Sequence, residues 1–136
     1  MKRHITSRDS SAIMRAVRSK DTQIEVALRS ELFRRGYRYR LHRRDLPGCP
    51  DIVFPRRRKV IFVHGCFWHQ HQSCGKALTP SVNQSYWIPK LAKNVSRDIA
   101  TKKRLKAEGW CQLTIWECQM KNLARVIDRA VRFLER

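Results

Sequence analysis

Eleven residues, His64-Gly65-Cys66-Phe67-Trp68-His69-Gln70-His71-Gln72-Ser73-Cys74, hold three of the chain's five histidines and two of its five cysteines. Imidazole and thiolate ligate zinc, and imidazole also moves protons near neutral pH. One histidine at the edge of a core is ordinarily a satisfied core residue. Three on one loop with a cysteine point to a site. Two sets of chemistry-bearing residues can be assembled around this run. His71, Cys74, Cys118 and Asp98 would offer imidazole, two thiolates and a carboxylate, which suits a closed, structural, tetrahedral zinc site. The local His-x-x-Cys step carries that signal, whereas Cys118 and Asp98 come from remote segments. Cys49, Cys66 and Cys111 read equally well as small apolar residues. Asp51, His64, His69 and Glu25 form the second set. A carboxylate at a strand head can hold magnesium, and a neutral imidazole backed by a carboxylate can deprotonate a water. Together these parts suit phosphodiester hydrolysis.

The elements that must position these groups are legible from pattern. Lys59 to Val63 is a short apolar run rich in β-branched and aromatic residues, a buried strand that Gly65 ends, so the histidines sit at its tip and on the loop beyond. Leu46-Pro47-Gly48-Cys49-Pro50 is a turn that delivers Asp51 to the strand Asp51–Phe54, and Pro55–Arg58 returns the chain as a hairpin. Ahead of it, Ser10-Ser11 caps a short helix with Ile13, Met14 and Val17. A firmer helix capped by Asp21 or Thr22 runs to Gly36 with Ile24, Ala27, Leu28 and Leu32 inward. Glu25 lies about 20° from Leu32 on a wheel of 100° per residue, and taken alone it reads as the partner of Arg29 four residues on. Tyr37 to Leu41 alternates as a strand. Pro89 suits the first turn of a helix reaching Glu108, with Leu91, Val95, Ile99 and Leu105 as its apolar face. Asp98 falls in the middle of that face, where either a salt bridge or a metal must compensate it. Trp110–Trp116 is a third buried strand ending at Glu117-Cys118. Leu123 to Leu134 has the clearest helical period and serves packing. Such an order predicts one three-layer α/β domain around a mixed central sheet flanked by helices.

Composition narrows the partners. Thirty Lys and Arg against 11 Asp and Glu give a formal charge of +19 over 136 residues. The excess runs through the whole chain, so the expected partner is a nucleic acid and not a membrane. No apolar run is long enough to span a bilayer, and Met1-Lys2-Arg3-His4 opens no signal peptide. With an odd number of cysteines, these features predict a reducing, cytoplasmic setting.

A resemblance joins the pieces. Ile61-Phe62-Val63-His64-Gly65-Cys66-Phe67-Trp68-His69, the preceding Leu46–Asp51 turn, Lys93-Asn94-Val95-Ser96-Arg97-Asp98 and Trp116-Glu117-Cys118 resemble the very short patch repair endonucleases. Ile13–Val17 and Thr22–Glu25 are also similar to that family, so the likeness spans almost the whole chain. It implies a restriction-endonuclease-like fold and a magnesium-dependent enzyme that nicks double-stranded DNA beside the T of a T·G mismatch, the lesion left by deaminated 5-methylcytosine. Carried residue by residue, it makes Asp51 and the Val63 backbone carbonyl the magnesium ligands. His69 backed by Glu25 becomes the base, with His64 assisting at the phosphate. Phe67, Trp68 and Trp87 become stacking residues in one groove and Met14 an intercalator from the other. His71, Cys74, Asp98 and Cys118 become zinc ligands. It also implies a monomer, a bacterial cytoplasmic enzyme working on the nucleoid, and mismatch-repair proteins as candidate partners. Residues 1–20 would be a DNA-contacting arm and 21–136 the catalytic core with its zinc site. Val63 stands where the founding pattern has Thr, and Ser73 adds a residue between His71 and Cys74.

Two other readings explain less. A zinc-stabilised nucleic-acid-binding module without catalysis accounts for the charge, aromatics and cysteines but gives Asp51 and Glu25 no task. A basic structural protein bound to RNA accounts for the charge alone.

Overall fold

The computed structural model describes residues 23–72, 74–75 and 81–136; Met14, the rest of the N-terminal arm and Ser73 lie outside them. The elements run α1 (Gln23–Arg34), β1 (Arg40–Leu41), β2 (Ile52–Phe54), β3 (Lys59–His64), α2 (Gln84–Ala107), β4 (Cys111–Trp116), a 3₁₀ turn (Glu117–Lys121) and α3 (Leu123–Glu135). The strands form one sheet in the order β1-β2-β3-β4. β1 and β2 pair antiparallel, as do β2 and β3, whereas β3 and β4 run parallel with His64 opposite Trp116. It is a mixed sheet with helices on both faces.

Period-two alternation sorts the strands onto those faces. Ile52, Phe54, Ile61, Leu113 and Ile115 pack with Leu28 and Leu32 of α1 and with Val126, Ile127, Ala130, Phe133 and Leu134 of α3. Val53, Val60 and Phe62 face the other way, towards Leu105 and Trp110. Lys59 is buried because its ammonium closes the end of α3, donating to the carbonyls of Phe133 (2.7 Å), Leu134 (3.2 Å) and Arg136 (2.7 Å). Those carbonyls have no partner within the helix, and the charge lies at the negative end of its dipole.

The long crossover helix differs from expectation in its start and its face. α2 begins at Gln84, with Pro89 inside it and not in the first turn. Its buried stripe is Trp87, Leu91, Asn94 and Leu105, with half-buried Asp98 and Thr101 on the same line, while Ile99 is 54 % exposed. Steps of four and three residues along one face give that line. Its polar members break the apolar signal, and Ile99 pulls the sequence reading one position aside. Gly109 (φ 86°) ends the helix in a Schellman turn, with Trp110 N–H donating to Leu105 O at 2.9 Å and Gly109 N–H to Lys106 O at 3.1 Å. β1 is shorter than the alternation of Tyr37–Leu41 suggests, because only Arg40 and Leu41 reach a ladder partner. No helix among the described residues is long and apolar enough to cross a membrane.

Candidate active site and metal centre

The end of β3, Gln112 near the start of β4, the turn before β2 and one face of α2 line a cleft of about 420 Å³. Asp51, Val63, His64, Trp68, His69 and Asp98 all line it. Gly48 allows the approach. It sits at φ 75°, and a Cβ there would come within 2.5 Å of the Thr101 methyl carbon of α2. Only a glycine lets the turn carrying Asp51 lie against that helix. Left-handed backbone at His42 and Cys49, both φ 48°, bends the walls on either side.

Asp51 stands just before β2, and its Oδ2 accepts the Val63 N–H across the hairpin at 2.7 Å. Burial pushes its carboxyl up to about 7, and the adjacent Glu25 carboxylate adds to the rise, against the Val63 hydrogen bond and His42. Glu25, 3 % exposed, belongs to this corner. Its Oε2 lies 2.7 Å from Arg29 Nη1 and 3.1 Å from His42 Nε2. The ion pair with Arg29 that spacing suggests therefore exists, but its carboxylate is buried at the site and not on a solvated face. Two carboxylates held together out of water call for a proton or a cation between them. The donor set at this corner, Glu25, His42 and Asp51, is compact enough to hold one ion.

Glu25 does not back His69. That place is taken by Asp98, whose Oδ2 lies 2.7 Å from His69 Nδ1. The distance suits a charge-assisted hydrogen bond that fixes which ring nitrogen faces the cleft. His69 stacks on His64 with ring centroids 3.7 Å apart and planes 4° from parallel. His64 is buried, and its Nδ1 has no hydrogen-bond partner among the described residues. Burial, helped by the adjoining His69, pulls its pKa down to about 3, so His64 is neutral at physiological pH.

Because Asp98 is engaged with His69, it does not join the cysteines. The donors that converge are Cys66, His71, Cys74 and Cys118, each offering an atom within 4.8 Å of the others. Cys118 Sγ lies 3.4 Å and Cys66 Sγ 3.7 Å from His71 Nδ1, and the Cys118 N–H donates to Cys66 Sγ at 3.4 Å. Three thiols and an imidazole gathered this closely suit a structural zinc better than two thiols, an imidazole and a carboxylate would. By type alone Cys66 belongs with the small apolar cysteines, and the structure moves it into the donor set. It is fully buried, and burial pushes its thiol up to about 12. A metal bound there would displace that proton. The loop is wound tightly by His69 N–H to Gly65 O (3.1 Å) and His71 N–H to Cys66 O (2.9 Å), which turns His69 and His71 to different sides.

The aromatic residues form a layered cluster. Trp87 is completely buried, edge-on to Phe67 (5.4 Å), Trp68 (6.4 Å) and Tyr86 (5.0 Å). It therefore supports the cluster from below and offers no face to a ligand, contrary to its expected place in the stack. Phe67 and Trp68 are half-buried, and Asn94 Nδ2 holds the Trp68 carbonyl at 3.3 Å. Lys90 lies 5.3 Å over the Trp68 ring.

Comparison with known proteins gives the family. Residues 3–76 match the family of DNA mismatch endonuclease Vsr. The chain belongs to that family. It is 48 % identical over 123 residues to the type II nicking enzyme V.XorIIP of Xanthomonas oryzae, covering 90 % of each chain. To DNA mismatch endonuclease Vsr of Escherichia coli it is 41 % identical, covering 87 % of this chain and 75 % of that one. To the type II nicking enzyme V.NmeAIP of Neisseria meningitidis it is 39 % identical, covering 95 % and 91 %. As a family member the chain is a DNA endonuclease, a hydrolase, and its mixed-sheet α/β domain accords with a restriction-endonuclease-like fold. The Cys66–Cys118 group gives this member a Cys/His set able to hold a metal ion.

Proposed function

We propose that this Vsr-family endonuclease nicks double-stranded DNA beside the T of a T·G mismatch, using a divalent ion anchored on Asp51 and a zinc held by Cys66, His71, Cys74 and Cys118. The observation that carries the reading is the His69–Asp98 pair, 2.7 Å apart, in one cleft with the half-buried Asp51 carboxylate. Magnesium, where bound, would neutralise charge on the scissile phosphate and make a nearby water more acidic. Asp51 and the Val63 carbonyl would hold it. The Val63 N–H orients the Asp51 carboxylate by occupying Oδ2. His69 takes the proton of the attacking water at Nε2, while Asp98 accepts Nδ1–H, keeps the tautomer and stabilises the imidazolium. His64, neutral and stacked on His69, keeps that ring in plane and presents an uncharged imidazole at the phosphate. Phe67 and Trp68 enter the opened base step, where stacking offsets an unstacking cost that is lowest at a mismatch. The Arg and Lys excess grips the backbone. The relatives are bacterial, which supports a bacterial cytoplasmic setting; action on nucleoid DNA as a monomer is part of the same proposal.

The test is a panel of duplexes carrying each mismatch, incubated with magnesium or with EDTA. Magnesium-dependent nicking confined to T·G duplexes is expected, and Asp51→Ala should abolish it while DNA binding survives. Equal cutting of perfect duplex, or full activity of Asp51→Ala, overturns the reading.

A further inference from the structure

His42 is left without a task by everything above, yet it stands at the corner between Glu25 and Asp51. It arrives there on the two-residue strand β1 and the left-handed residue that ends it, and its N–H donates to the Asp51 carbonyl at 3.1 Å. Its two ring nitrogens face two different carboxylates. Nε2 lies 3.1 Å from Glu25 Oε2, which is hydrogen-bond range. Nδ1 lies 3.8 Å from Asp51 Oδ1, which is too long for a hydrogen bond. Donors each about 2.1 Å from one ion lie roughly 3–4 Å apart, so the second distance fits two ligands on a common metal. Asp51 Oδ2 accepts the Val63 N–H, Oδ1 is the oxygen nearer the imidazole, and the carboxyl also lies in hydrogen-bond contact with Glu25.

We infer that His42 Nδ1 is a direct ligand of the divalent ion anchored on Asp51 Oδ1, oriented from behind by Glu25. The carboxylate–histidine–metal order is a common second-layer arrangement in which the carboxylate fixes the tautomer and strengthens the donor. Arg29, 2.7 Å from Glu25, holds that carboxylate in place. The inference rests on the proposed ion at Asp51 and bears on which divalent ion binds there most tightly, not on the use of magnesium in nicking. Magnesium takes oxygen ligands almost exclusively, whereas an imidazole nitrogen favours first-row transition ions. The centre should therefore take up manganese in preference to magnesium. Glu25 in this arrangement is a positioning residue, not a ligand.

The test uses manganese as the probe, on the full chain with its Cys/His set filled by one equivalent of zinc beforehand. Electron spin-echo modulation of bound Mn2+ should show a directly coordinated imidazole nitrogen in wild type and lose it in His42→Gln. His42→Gln should weaken Mn2+ binding on the order of 10- to 100-fold, with magnesium binding little changed, and Glu25→Gln should weaken it in the same direction. Wild-type protein binding Mn2+ without nitrogen modulation overturns the inference whatever the variants do. Modulation that persists in a folded His42→Gln assigns the nitrogen to another histidine and overturns it equally. Neither result touches the proposed nuclease, which fails separately if Asp51→Ala still nicks in magnesium.

Discussion

Replacing Asp98 by Asn separates chemistry from metal binding in one variant. The substitution keeps the side chain's shape and removes its charge. What it loses is the charge-assisted hydrogen bond to His69 Nδ1 at 2.7 Å. Such bonds are worth about 1.5–3 kcal/mol. His69 and Asp98 side chains keep 24 % and 30 % of their surface in solvent, which screens the pair and favours the lower half of that range. About 1.5–2 kcal/mol of lost transition-state stabilisation is roughly a 10- to 30-fold slower nicking rate. The assay is single-turnover nicking of a T·G duplex with enzyme in excess, which removes product release from the measured rate. Zinc content and melting temperature should match wild type, because the metal-ligand set does not include Asp98. A wild-type rate would refute the role given to the pair. A variant that lost zinc along with stability would refute the ligand assignment and return Asp98 to the cysteine site.

Cys66→Ser should lower zinc content and melting temperature together, while Cys111→Ser on the exposed face of β4 should change neither; equal zinc in the two variants would remove Cys66 from the set. Trp68→Ala should weaken binding to mismatched duplex by roughly 1–3 kcal/mol per lost stack and hardly affect perfect duplex, whereas Trp87→Ala, at a fully buried ring, should cost about 3–5 kcal/mol of stability; a stable Trp87→Ala with the mismatch-binding defect would reverse the two roles. His64 has a folded pKa of about 3 against an ordinary 6.5, so the unfolded chain binds more protons between those values. Its stabilising effect is therefore complete above about pH 6.5 and is lost as pH falls towards 3, at up to about 1.4 kcal/mol per unit. Urea melts of wild type and His64→Asn across that range should converge in stability as the pH drops, and parallel curves would place the titration elsewhere.

The strand–turn–strand geometry around Asp51 was legible because turn residues and β-branched runs are local signals. The three-dimensional pairing of carboxylates with histidines was not. Asp98 was recognised as an inward carboxylate, but spacing alone cannot say whether such a group faces a metal or an imidazole. Glu25 was readable as the Arg29 partner, and only the approach of β1 and the Asp51 turn reveals that the pair is buried at the cleft. His42, in the basic run Arg38–Arg44, carries no motif at all. Cys66 did leave a trace. β3 and β4 are parallel with His64 opposite Trp116, and a cysteine follows each by two residues, so Cys66 and Cys118 emerge side by side. That inference needs the pairing of two strands separated by α2, which hydrophobic pattern does not provide. Trp87 fell to the opposite error. A tryptophan near a site resembles a ligand-facing ring, and only its complete burial shows it to be the floor beneath Phe67 and Trp68.

A continuous set of contacts connects the Cys/His group to the proposed base. Cys118 Sγ is 3.4 Å from His71, whose ring stacks on Trp116 at 4.1 Å. Trp116 meets His64 edge-on at 5.3 Å, His64 stacks on His69 at 3.7 Å, and His69 reaches Asp98. Every member except Asp98 belongs to the ends of the parallel strands β3 and β4 or to the short segments that leave them. A metal bridging Cys66 and Cys118 would pin those two segments together beyond the last ladder pair, at the point where the sheet itself stops holding them. His64 and His69 are both carried by the segment so pinned, and imidazole stacking alone is too weak to fix a ring against a phosphate. A metal held there would thus supply the rigidity that the proposed loop-borne base requires. Such pinning would be a physical reason for a structural metal beside a nuclease cleft.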